Sequence, residues 1–507
     1  MRRARRHAVL SGLWLGAALS LHAQPSGGSQ QPHEQSVVGL NVTFQDWDED
    51  RPWAKQAPGQ RSVVGSVVDD GLLLTTADVL DQATDIQLTT SGRSRQANAR
   101  IVRQDRGVNL ALLAVDEPAV LRDLRVVRPA QTTPTSGVVQ TVRWNRQQFE
   151  SVASRILRLE VGTGWSGRLE HAFLHMQTDM TGGGWAEPVF RDDELVGITA
   201  SQSGQVSRAI PIEIIRAFLT AQDGGESDAG FPTLGVMWQV NRDPAVTAFL
   251  GQAGEPRGVI VRRVPWGSSG CGVLKPRDIV LELAGHAIDA EGYYSHARFG
   301  QLKFNHILAE GHRVGDSIPI RVLREGRQQD LVISARSYPA ELDLVPQRRA
   351  GPPPYVIAGG LVLRELDVPY LRTWGKEWSA NAPDHLLSRY SFAQAAQTAD
   401  RRRLVLIASV LPSAYNLGYH SLQDAFVERV NGRPIGGLAD VLEGLEHPRD
   451  RFHVLELAPD LGRDIVVLDA ATLDQATADL LEQYRIPAAV RLSGGLPPGG
   501  GECAGDY

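Results

Sequence analysis

The chain has 507 residues, more than the ~100–200 residues of a typical domain, so about three domains are expected. Hydrophobic residues make up 42% and charged residues 22%, an ordinary globular composition, and the net charge of -6 argues against a nucleic-acid-binding surface. The 51 glycines and 29 prolines favour a turn-rich, mainly β protein.

The N-terminus has the pattern of a secretory signal peptide over residues 1–23. Basic residues lead into an apolar stretch over residues 8–21, and cleavage is expected after Ala23. The alternative is a membrane anchor, but the run falls short of the ~20 apolar residues that a span needs. We therefore expect an exported protein, periplasmic or secreted, without a stable membrane anchor, and a linker over residues 24–36.

Short strands separated by turns follow as far as residue 219. The segment SVVGSVVDDGLLLTT is typical of a hairpin with Asp70 and Gly71 at its turn. IPIEIIRAFLTAQ has helical periodicity and closes the unit, and GGESDAGFP is predicted to be a linker. Many short strands at regular spacing predict a sandwich or a barrel.

Two later units share one order of elements. The first covers about residues 231–337, and the second begins after the proline-rich stretch GPPPY. Each has a glycine-containing turn into a strand, a valine-rich strand, and then a strand, an NG or AG turn and a helix. We interpret the two units as divergent repeats of one module.

Several motifs occur in an order that resembles one known family. They are LLTTADVL (73–80), NLALL (109–113), GGGWAEPVF (182–190) and AIPIEIIRAF (209–218). They resemble the HtrA/Deg family, a trypsin-like double β-barrel followed by PDZ domains, and the last third is similar to the plant-type Deg branch. The resemblance implies a mainly β fold with these parts: signal peptide 1–23, linker 24–36, trypsin-like protease-homology domain 37–222, first PDZ domain 230–340, second, degenerate PDZ-like domain 351–490 and flexible tail 491–507.

The catalytic positions implied by the resemblance hold unsuitable residues. The base position is Asp78, the orienter position is Asn109 and the nucleophile position is Trp185. Serine-protease chemistry needs a hydroxyl, an imidazole and a carboxylate. An aspartate with an ordinary pKa of about 3.9 is a poor base, and tryptophan offers only an N–H donor. We therefore expect a pseudoprotease without catalytic residues, in which Trp185 fills the vacated cleft.

Other candidate sites are weaker. The amides of residues 183–185 are expected to keep an oxyanion-hole-like turn that binds anions at best. The segment WGSSGCG (266–272) looks like a nucleophile loop, but the resemblance places an ordinary PDZ connection there. His171 and His175 share one face of a strand without an evident third metal ligand, so we expect no metal and no cofactor. Cys271 and Cys503 are expected to be free thiols rather than a bridged pair.

The resemblance also implies peptide binding. PDZ domains add a peptide as a strand and hold its terminal carboxylate on loop amides. In the first PDZ domain the loop is TLGV, with a helix at residues 244–251 as the other wall of the groove. The second loop, AGGLV (358–362), is expected to be a packing module. The predicted peptide-binding residues are Thr233, Leu234, Gly235, Val236 and Phe249.

Three functions stay open at this point. The first is a non-catalytic homologue that binds peptides or unfolded exported proteins in envelope quality control, or modulates an active relative. The second is a working endopeptidase, and the third is a structural trimeric scaffold. A homotrimer is expected, because family trimers form through the N-terminal part of the protease domain, where VTFQDWDEDRPWAK carries Phe44, Trp47 and Trp53. No nucleic-acid partner is expected.

Overall fold

A computed structural model describes residues 32–90, 95–145, 148–165, 167, 169–221, 230–338, 342–349, 351–393 and 401–492. The predicted signal peptide and residues 493–507 of the predicted tail lie outside these ranges. Within the predicted linker, Pro32–Ser36 form a 3-10 helix whose His33 is buried. The His33 ring stacks on Phe190 and its Nε2 lies 2.7 Å from the Ser151 hydroxyl. The end of the predicted linker is therefore part of the protease-homology domain.

The first barrel is closed and has six antiparallel strands. In chain order they are β1 (Val37–Phe44), β2 (Gly59–Asp69), β3 (Leu72–Thr75), β4 (Ala83–Thr89), β5 (Gln96–Asp105) and β6 (Leu110–Val115). They follow one another around the barrel as β1-β2-β3-β6-β5-β4. The predicted hairpin is confirmed, because β2 and β3 pair across a turn in which Gly71 has φ +78°. Inward side chains such as Leu40, Leu73 and Leu113 form its core.

The second barrel follows directly. Its strands are β7 (Arg128–Pro129), β8 (Val138–Asn145), β9 (Gln148–Thr163), β10 (Glu170–Thr178), β11 (Pro188–Arg191), β12 (Glu194–Ser203) and β13 (Val206–Pro211). Six of them close a ring in the order β8-β9-β10-β13-β12-β11, because β11 pairs with both β8 and β12. The helix α1 (Ile212–Thr220) then buries its isoleucines and Phe218, as its periodicity predicted. The predicted double β-barrel is confirmed.

The unit predicted to be the first PDZ domain has a main sheet and two short helices. Its elements are β14 (Met237–Gln239), α2 (Pro244–Phe249), β15 (Val259–Arg263), β16 (Ile279–Leu283), β17 (His286–Ala287), β18 (Tyr293–His296), β19 (Gly300–Lys303), α3 (His306–Gly311), β20 (Ser317–Arg324) and β21 (Arg327–Ser334). The main sheet has the order β14-β15-β16-β20-β21, which leaves β14 at an edge. Helix α3 packs against the second barrel, where His306 Nδ1 accepts the Ala172 N–H.

The second PDZ domain is larger. Its strands are β22 (Tyr355–Ala358), β23 (Leu361–Glu365), β24 (Val405–Val410), β25 (Ala425–Val430), β26 (Arg433–Pro434), β27 (Phe452–Leu457), β28 (Ile465–Asp469) and β29 (Val490–Arg491). Its helices are α4 (Val368–Leu371), α5 (Trp378–Asn381), α6 (Asp384–Ser391), α7 (Leu438–Leu445) and α8 (Leu473–Tyr484). Seven strands form the path β28-β27-β25-β24-β23-β22-β29, and α4 to α6 lie between β23 and β24. Short 3-10 helices also occur along the chain: Asp78–Leu80, Pro118–Leu121, Arg372–Trp374, Ala414–Asn416 and Pro459–Leu461.

The AGGLV loop of the second PDZ domain is closed by its own domain. Gly359 and Gly360 form the tight turn between β22 and β23. The Gly359 N–H donates to the Thr477 hydroxyl at 2.9 Å, and Asn416 Nδ2 donates to the Gly359 carbonyl at 2.8 Å. These contacts occupy the loop backbone, which agrees with a packing role.

An ionic cluster holds the second PDZ domain to the first barrel. Glu49, after β1, accepts from Arg348 and from Arg364, whose Nη2 lies 2.7 Å from Glu49 Oε2. Arg348 also pairs with Asp367 at 2.8 Å. Arg364 is 0% exposed, so this cluster lies inside the protein and not on its surface. Removal of one partner would leave a buried charge uncompensated.

The aromatic residues assigned to a trimer interface have partners within the chain. Trp53 packs edge-on against Tyr355 of the second PDZ domain, with ring centroids 6.0 Å apart. Arg491 lies over Trp47 at 4.8 Å, and Arg61 covers Phe44 at 3.8 Å. The reasoning that left these side chains free for another subunit is therefore wrong. The trimer itself stays a prediction.

Cysteine pairing also differs from expectation. Cys271 is disulfide-bonded, so the expectation of a free thiol at this position is wrong. Cys503 lies outside the described residues. None of the helices in the described parts of the chain has both the length and the apolar character to cross a membrane.

Candidate active-site remnant and peptide groove

The base and orienter positions lie side by side in the first barrel. Asp78 begins the 3-10 helix after β3, and Asn109 directly precedes β6. The Asp78 N–H donates to Asn109 Oδ1 at 2.8 Å, and the Ala77 N–H donates to the Asn109 carbonyl. Asn109 has φ +61°, a conformation that asparagine tolerates. The sequence therefore brings these two positions together, but Asn109 bonds the backbone of Asp78.

The Asp78 side chain is enclosed. It is 8% exposed, and its Oδ1 has no hydrogen-bond partner among the described residues. Burial raises the pKa of Asp78 above its ordinary value. The neighbouring Asp81 pairs with Arg106 at 3.5 Å, but burial outweighs this and raises the pKa of Asp81 to about 6. The first barrel thus presents buried carboxyl groups where a protease would present an imidazole.

Trp185 does not fill the cleft. It is 46% exposed and lies on the wall of a cavity that Asp78 also lines. The prediction of a buried indole is therefore wrong. The interior space under the loop is taken by Glu187 instead.

Glu187 is a buried position under the loop that the sequence patterns did not single out. Its carboxylate accepts the Gly184 N–H at 2.8 Å and the Thr199 hydroxyl at 3.3 Å. It lies so close to the loop that a Cβ on Gly183 would be 2.5 Å from Glu187 Oε1. Burial raises the pKa of Glu187 to about 7, against the opposing effect of these hydrogen bonds. The Gly184 amide therefore points inward to this carboxyl group. The oxyanion donors of a trypsin-like loop are the amides of the nucleophile position and of the residue two before it, here Trp185 and Gly183, so the expected oxyanion-hole-like turn stays a prediction.

The motif GGGWAEPVF (182–190) already contained a sign that this loop differs from the family pattern. Where the family has Ser-Gly-Gly before the proline, this chain has Trp185, Ala186 and Glu187. Ala186 adopts φ +57° and its N–H donates to the Thr199 carbonyl at 2.9 Å. Ala186 thus adopts a conformation that usually favours glycine. In this loop the Trp185 side chain points outward and the Glu187 side chain points inward.

The cavity beside Trp185 has a volume of about 880 Å³. The first barrel forms one side, and Pro369 and Arg372 of the second PDZ domain form another. Arg349 stacks on Trp165 at 4.2 Å and donates to the Trp165 carbonyl at 2.8 Å. Burial, with repulsion from Arg372, lowers the pKa of Arg349 to about 10. The described lining includes hydroxyls but no histidine or cysteine, so it lacks a nucleophile–base pair.

The predicted peptide loop of the first PDZ domain has the required backbone. The Thr233 N–H donates to the Arg336 carbonyl, and Ser269 Oγ donates to the Thr233 carbonyl at 2.6 Å. The next three amides, those of Leu234, Gly235 and Val236, have no acceptor within the described residues. A cavity of about 250 Å³ lies beside them. Consecutive free amides of this kind suit a carboxylate.

The prediction of which side chains line this groove is partly wrong. Leu234 is 2% exposed and packs in the core of the domain, whereas Val236 lines the cavity. Phe249 is 79% exposed and does not line the cavity. Helix α2 turns Val246 and Leu250, four residues apart, onto the opposite side of the sheet, which leaves Phe249 in solvent.

The second barrel supplies the wall expected from residues 244–251. Thr163, Gly167 and Glu170 line the cavity together with Asn305, which precedes α3. The groove is therefore an interface between two domains.

The remaining candidates have structural roles. His171 is buried beside Phe173, and burial lowers the pKa of His171 to about 3. No group of three or more His, Cys, Asp or Glu side chains in the described ranges is placed to hold a metal ion. In WGSSGCG, Ser269 braces the peptide loop, as an ordinary PDZ connection would.

Comparisons with known proteins find one matching domain family and several relatives. A family model for the PDZ domain matches residues 345–491. The chain is 23% identical over 462 residues to "Protease Do-like 2, chloroplastic" of Arabidopsis thaliana, covering 89% of this chain and 74% of the relative. It is 24% identical to "Putative protease Do-like 12, mitochondrial" of the same plant, covering 90% of this chain and 86% of the relative. The solved structure of the HtrA-type protease AlgW with a decapeptide matches 60% of this chain and 96% of its own, with 19% identity and a TM-score of 0.45. The chain is a homologue of the HtrA/Deg-family, Do-like proteases of the plant branch, and it carries a PDZ domain.

Proposed function

We propose that this chain is an exported, non-catalytic HtrA/Deg homologue that binds peptides or unfolded proteins through its first PDZ domain. It would act in envelope protein quality control or modulate an active relative. The observation that carries the non-catalytic part is the nucleophile loop. Trp185 stands at the nucleophile position and lines the cleft, so the loop presents an indole where a serine protease needs a hydroxyl.

Catalysis would need several groups that this site lacks. A nucleophilic hydroxyl must lie within hydrogen-bond reach of a base, and a third group must orient that base. The base position holds Asp78, whose backbone is held by Asn109. Loss of any one of these groups in a serine protease removes most of the rate.

The test of this part is incubation with unfolded casein. The purified chain is expected to leave casein intact and to remain unlabelled by a serine-directed fluorophosphonate. A mock purification from the same host controls for contaminating proteases. Cleavage that the inhibitor abolishes, absent from the mock sample, would contradict the proposal.

Peptide binding is supported by the first PDZ domain. Strand β14 lies at the edge of its sheet, and the three amides before it have no acceptor among the described residues. An added peptide strand gains sequence-tolerant backbone hydrogen bonds, and apolar surface at Val236 and Met237 favours apolar C-termini. We expect weak affinity, with a Kd of about 1 μM or higher.

Fluorescence titration of the full chain with apolar-ended peptides tests this part. A Gly235→Ala variant is expected to weaken binding, because Gly235 has φ +69° and a Cβ there would lie 2.8 Å from Ser268 Cβ. The matched control is Gly254→Ala, at φ +82° with open space around it. Saturable binding lost on amidation of the peptide would indicate carboxylate capture. Binding that ignores amidation would indicate recognition of internal segments, and no binding at millimolar peptide would refute the proposal.

One observation favours the scaffold alternative. The cavity beside the TLGV loop is walled by Thr163, Gly167 and Glu170 of the second barrel, so the loop also faces another domain. A domain that only fixes geometry would have such contacts. The absence of peptide binding in the titration above, with a trimer of unchanged stability, would support this alternative.

A further inference from the structure

The cavity beside Trp185 has the size and enclosure of a ligand site. Its volume of about 880 Å³ lies within the ~300–1,000 Å³ of typical small-molecule pockets. Its walls come from the first barrel, from Trp165 after β9, and from residues 348–373 at the start of the second PDZ domain. The site is therefore distinct from the TLGV groove of the first PDZ domain.

The lining has more carboxyl groups than guanidinium groups, six against four. Three carboxyl groups have arginine partners: Asp48 with Arg51, Glu49 with Arg348 and Arg364, and Asp81 with Arg106. The other three, Asp46, Asp50 and Asp78, form no ion pair within the described residues. Among them, Asp78 Oδ1 has no hydrogen-bond partner within the described residues.

The guanidinium groups are mostly engaged. Arg61 donates to three carbonyls and stacks on Phe44. Arg348 pairs with Glu49 and Asp367. Arg349 stacks on Trp165 and donates through Nη2, whereas its Nε is buried without an acceptor in the described structure. Arg372, the fourth guanidinium group, is exposed and forms no ion pair within the described residues. The cavity thus offers several carboxylate acceptors and two donors, the buried Arg349 Nε and the exposed Arg372.

Two groups point to the ligand directly. Asp78 is more than nine-tenths buried, lines the cavity, and leaves Oδ1 unpartnered within the described residues. A buried acceptor in this state gains most from a charged donor. Trp185 presents a half-exposed indole to the same cavity, and tryptophan is the aromatic side chain that cations prefer.

We propose that this cavity binds a lysine or arginine residue of a peptide. The cationic head bonds Asp78 and lies against Trp185, while Arg349 Nε donates to a peptide carbonyl. The rim carboxylates Asp46 and Asp50 attract the cation. The vacated catalytic cleft would thus be a recognition site for a basic residue, independent of the first PDZ domain.

Isothermal titration of the purified full chain with N-acetyl-arginine N-methylamide tests the proposal. We expect saturable binding with a Kd of about 1 mM or tighter. The neutral isostere N-acetyl-citrulline N-methylamide is expected to bind at least 10-fold more weakly. n-Butylguanidine, a monocation that has the guanidinium without carbonyls, is expected to bind several-fold more weakly and so tests the contribution of the peptide carbonyls.

Variants locate the site. Asp78→Asn is expected to weaken binding of the blocked arginine at least 10-fold, and Trp185→Leu several-fold. Asp85→Asn, an exposed change on β4 outside the cavity, is the matched control and should bind like the parent. Asp50→Asn, at the exposed rim, is expected to weaken binding about threefold without a risk to folding.

Three results of these titrations would contradict or decide the proposal. Equal binding of the citrulline analogue, or unchanged affinity in both Asp78→Asn and Asp50→Asn, would overturn the proposal. Binding of n-butylguanidine as tightly as the blocked arginine would overturn the assignment to a peptide residue. If Asp78→Asn fails to fold, the Asp50→Asn and Trp185→Leu variants decide the question.

Discussion

Replacement of Glu187 by glutamine should change how the stability of the protein depends on pH. Burial raises the pKa of Glu187 from 4.5 to about 7. The folded protein therefore holds this proton more tightly than the unfolded chain does. The resulting stabilisation is complete below pH 4.5, falls as the pH rises through this interval, and is lost above about pH 7.

The size of the effect follows from the shift. One pKa unit corresponds to about 1.36 kcal/mol, so the change from 4.5 to about 7 amounts to at most about 3 kcal/mol of unfolding free energy. Glutamine has no charge to desolvate, and its carbonyl oxygen can still accept the Gly184 N–H. Relative to the parent, Glu187→Gln should therefore gain up to about 3 kcal/mol between pH 4.5 and pH 8.

Urea unfolding at pH 5, 6, 7 and 8, followed by tryptophan fluorescence and circular dichroism, measures this difference. Comparison of parent and variant at each pH cancels the titration of the other groups. Glu117→Gln is the matched control, because Glu117 is exposed. A Glu187→Gln difference that stays constant with pH, or that falls as the pH rises, would refute the reasoning.

The remaining predictions concern the loop and the domain contact. Trp185→Ser should cost less than about 2 kcal/mol in thermal unfolding, because the indole is half exposed, and it should not restore casein cleavage. Ala186→Gly should change the unfolding free energy by less than about 1 kcal/mol, because relief of φ +57° is offset by loss of a buried methyl group and by the greater chain entropy of glycine; a larger change in either direction would contradict this. Glu49→Gln should cost about 3 kcal/mol and increase hydrogen exchange at the second PDZ domain, because Arg348 and Arg364 lose their shared carboxylate; unchanged exchange would contradict it.

The fold could be predicted from the sequence where a local pattern of residues determines the local structure. The Asp70-Gly71 turn specifies its hairpin through a positive φ that glycine adopts freely. The apolar spacing of α1 specifies a buried helix face. Short strands with turns between them left a sandwich or a barrel open, and the family resemblance selected the double barrel.

The candidate site could be predicted only in part. The motifs placed Asp78, Asn109 and Trp185 correctly in one region, because the strands that carry them are fixed by the barrel. The direction in which a loop side chain points depends on the backbone angles of the residues around it, which the sequence pattern does not reveal. With Ala186 at φ +57°, Glu187 and not Trp185 enters the interior. No pattern of hydrophobic residues records this choice.

Contacts between distant segments were the least accessible to sequence reasoning. Glu49 and Arg364 are 315 positions apart, and each alone has the character of an ordinary surface residue. The sequence analysis likewise treated Trp53 as exposed, because its partner Tyr355 belongs to another domain. Periodicity describes one element at a time and therefore gives no sign of such pairs.

The two cavities described above both lie between domains, so a ligand in either one would affect how the domains dock. Each lies between the barrels and a PDZ domain, because Asp78 and Arg372 line one, and Thr163 and Val236 line the other. A ligand that contacts both walls stabilises the docked arrangement by its binding free energy, since the separated domains would bind it less well. A peptide in either cavity would therefore also strengthen the attachment of that PDZ domain to the barrels. Under these proposals the two barrels would be the fixed half of two binding sites, and the PDZ domains would be the other halves.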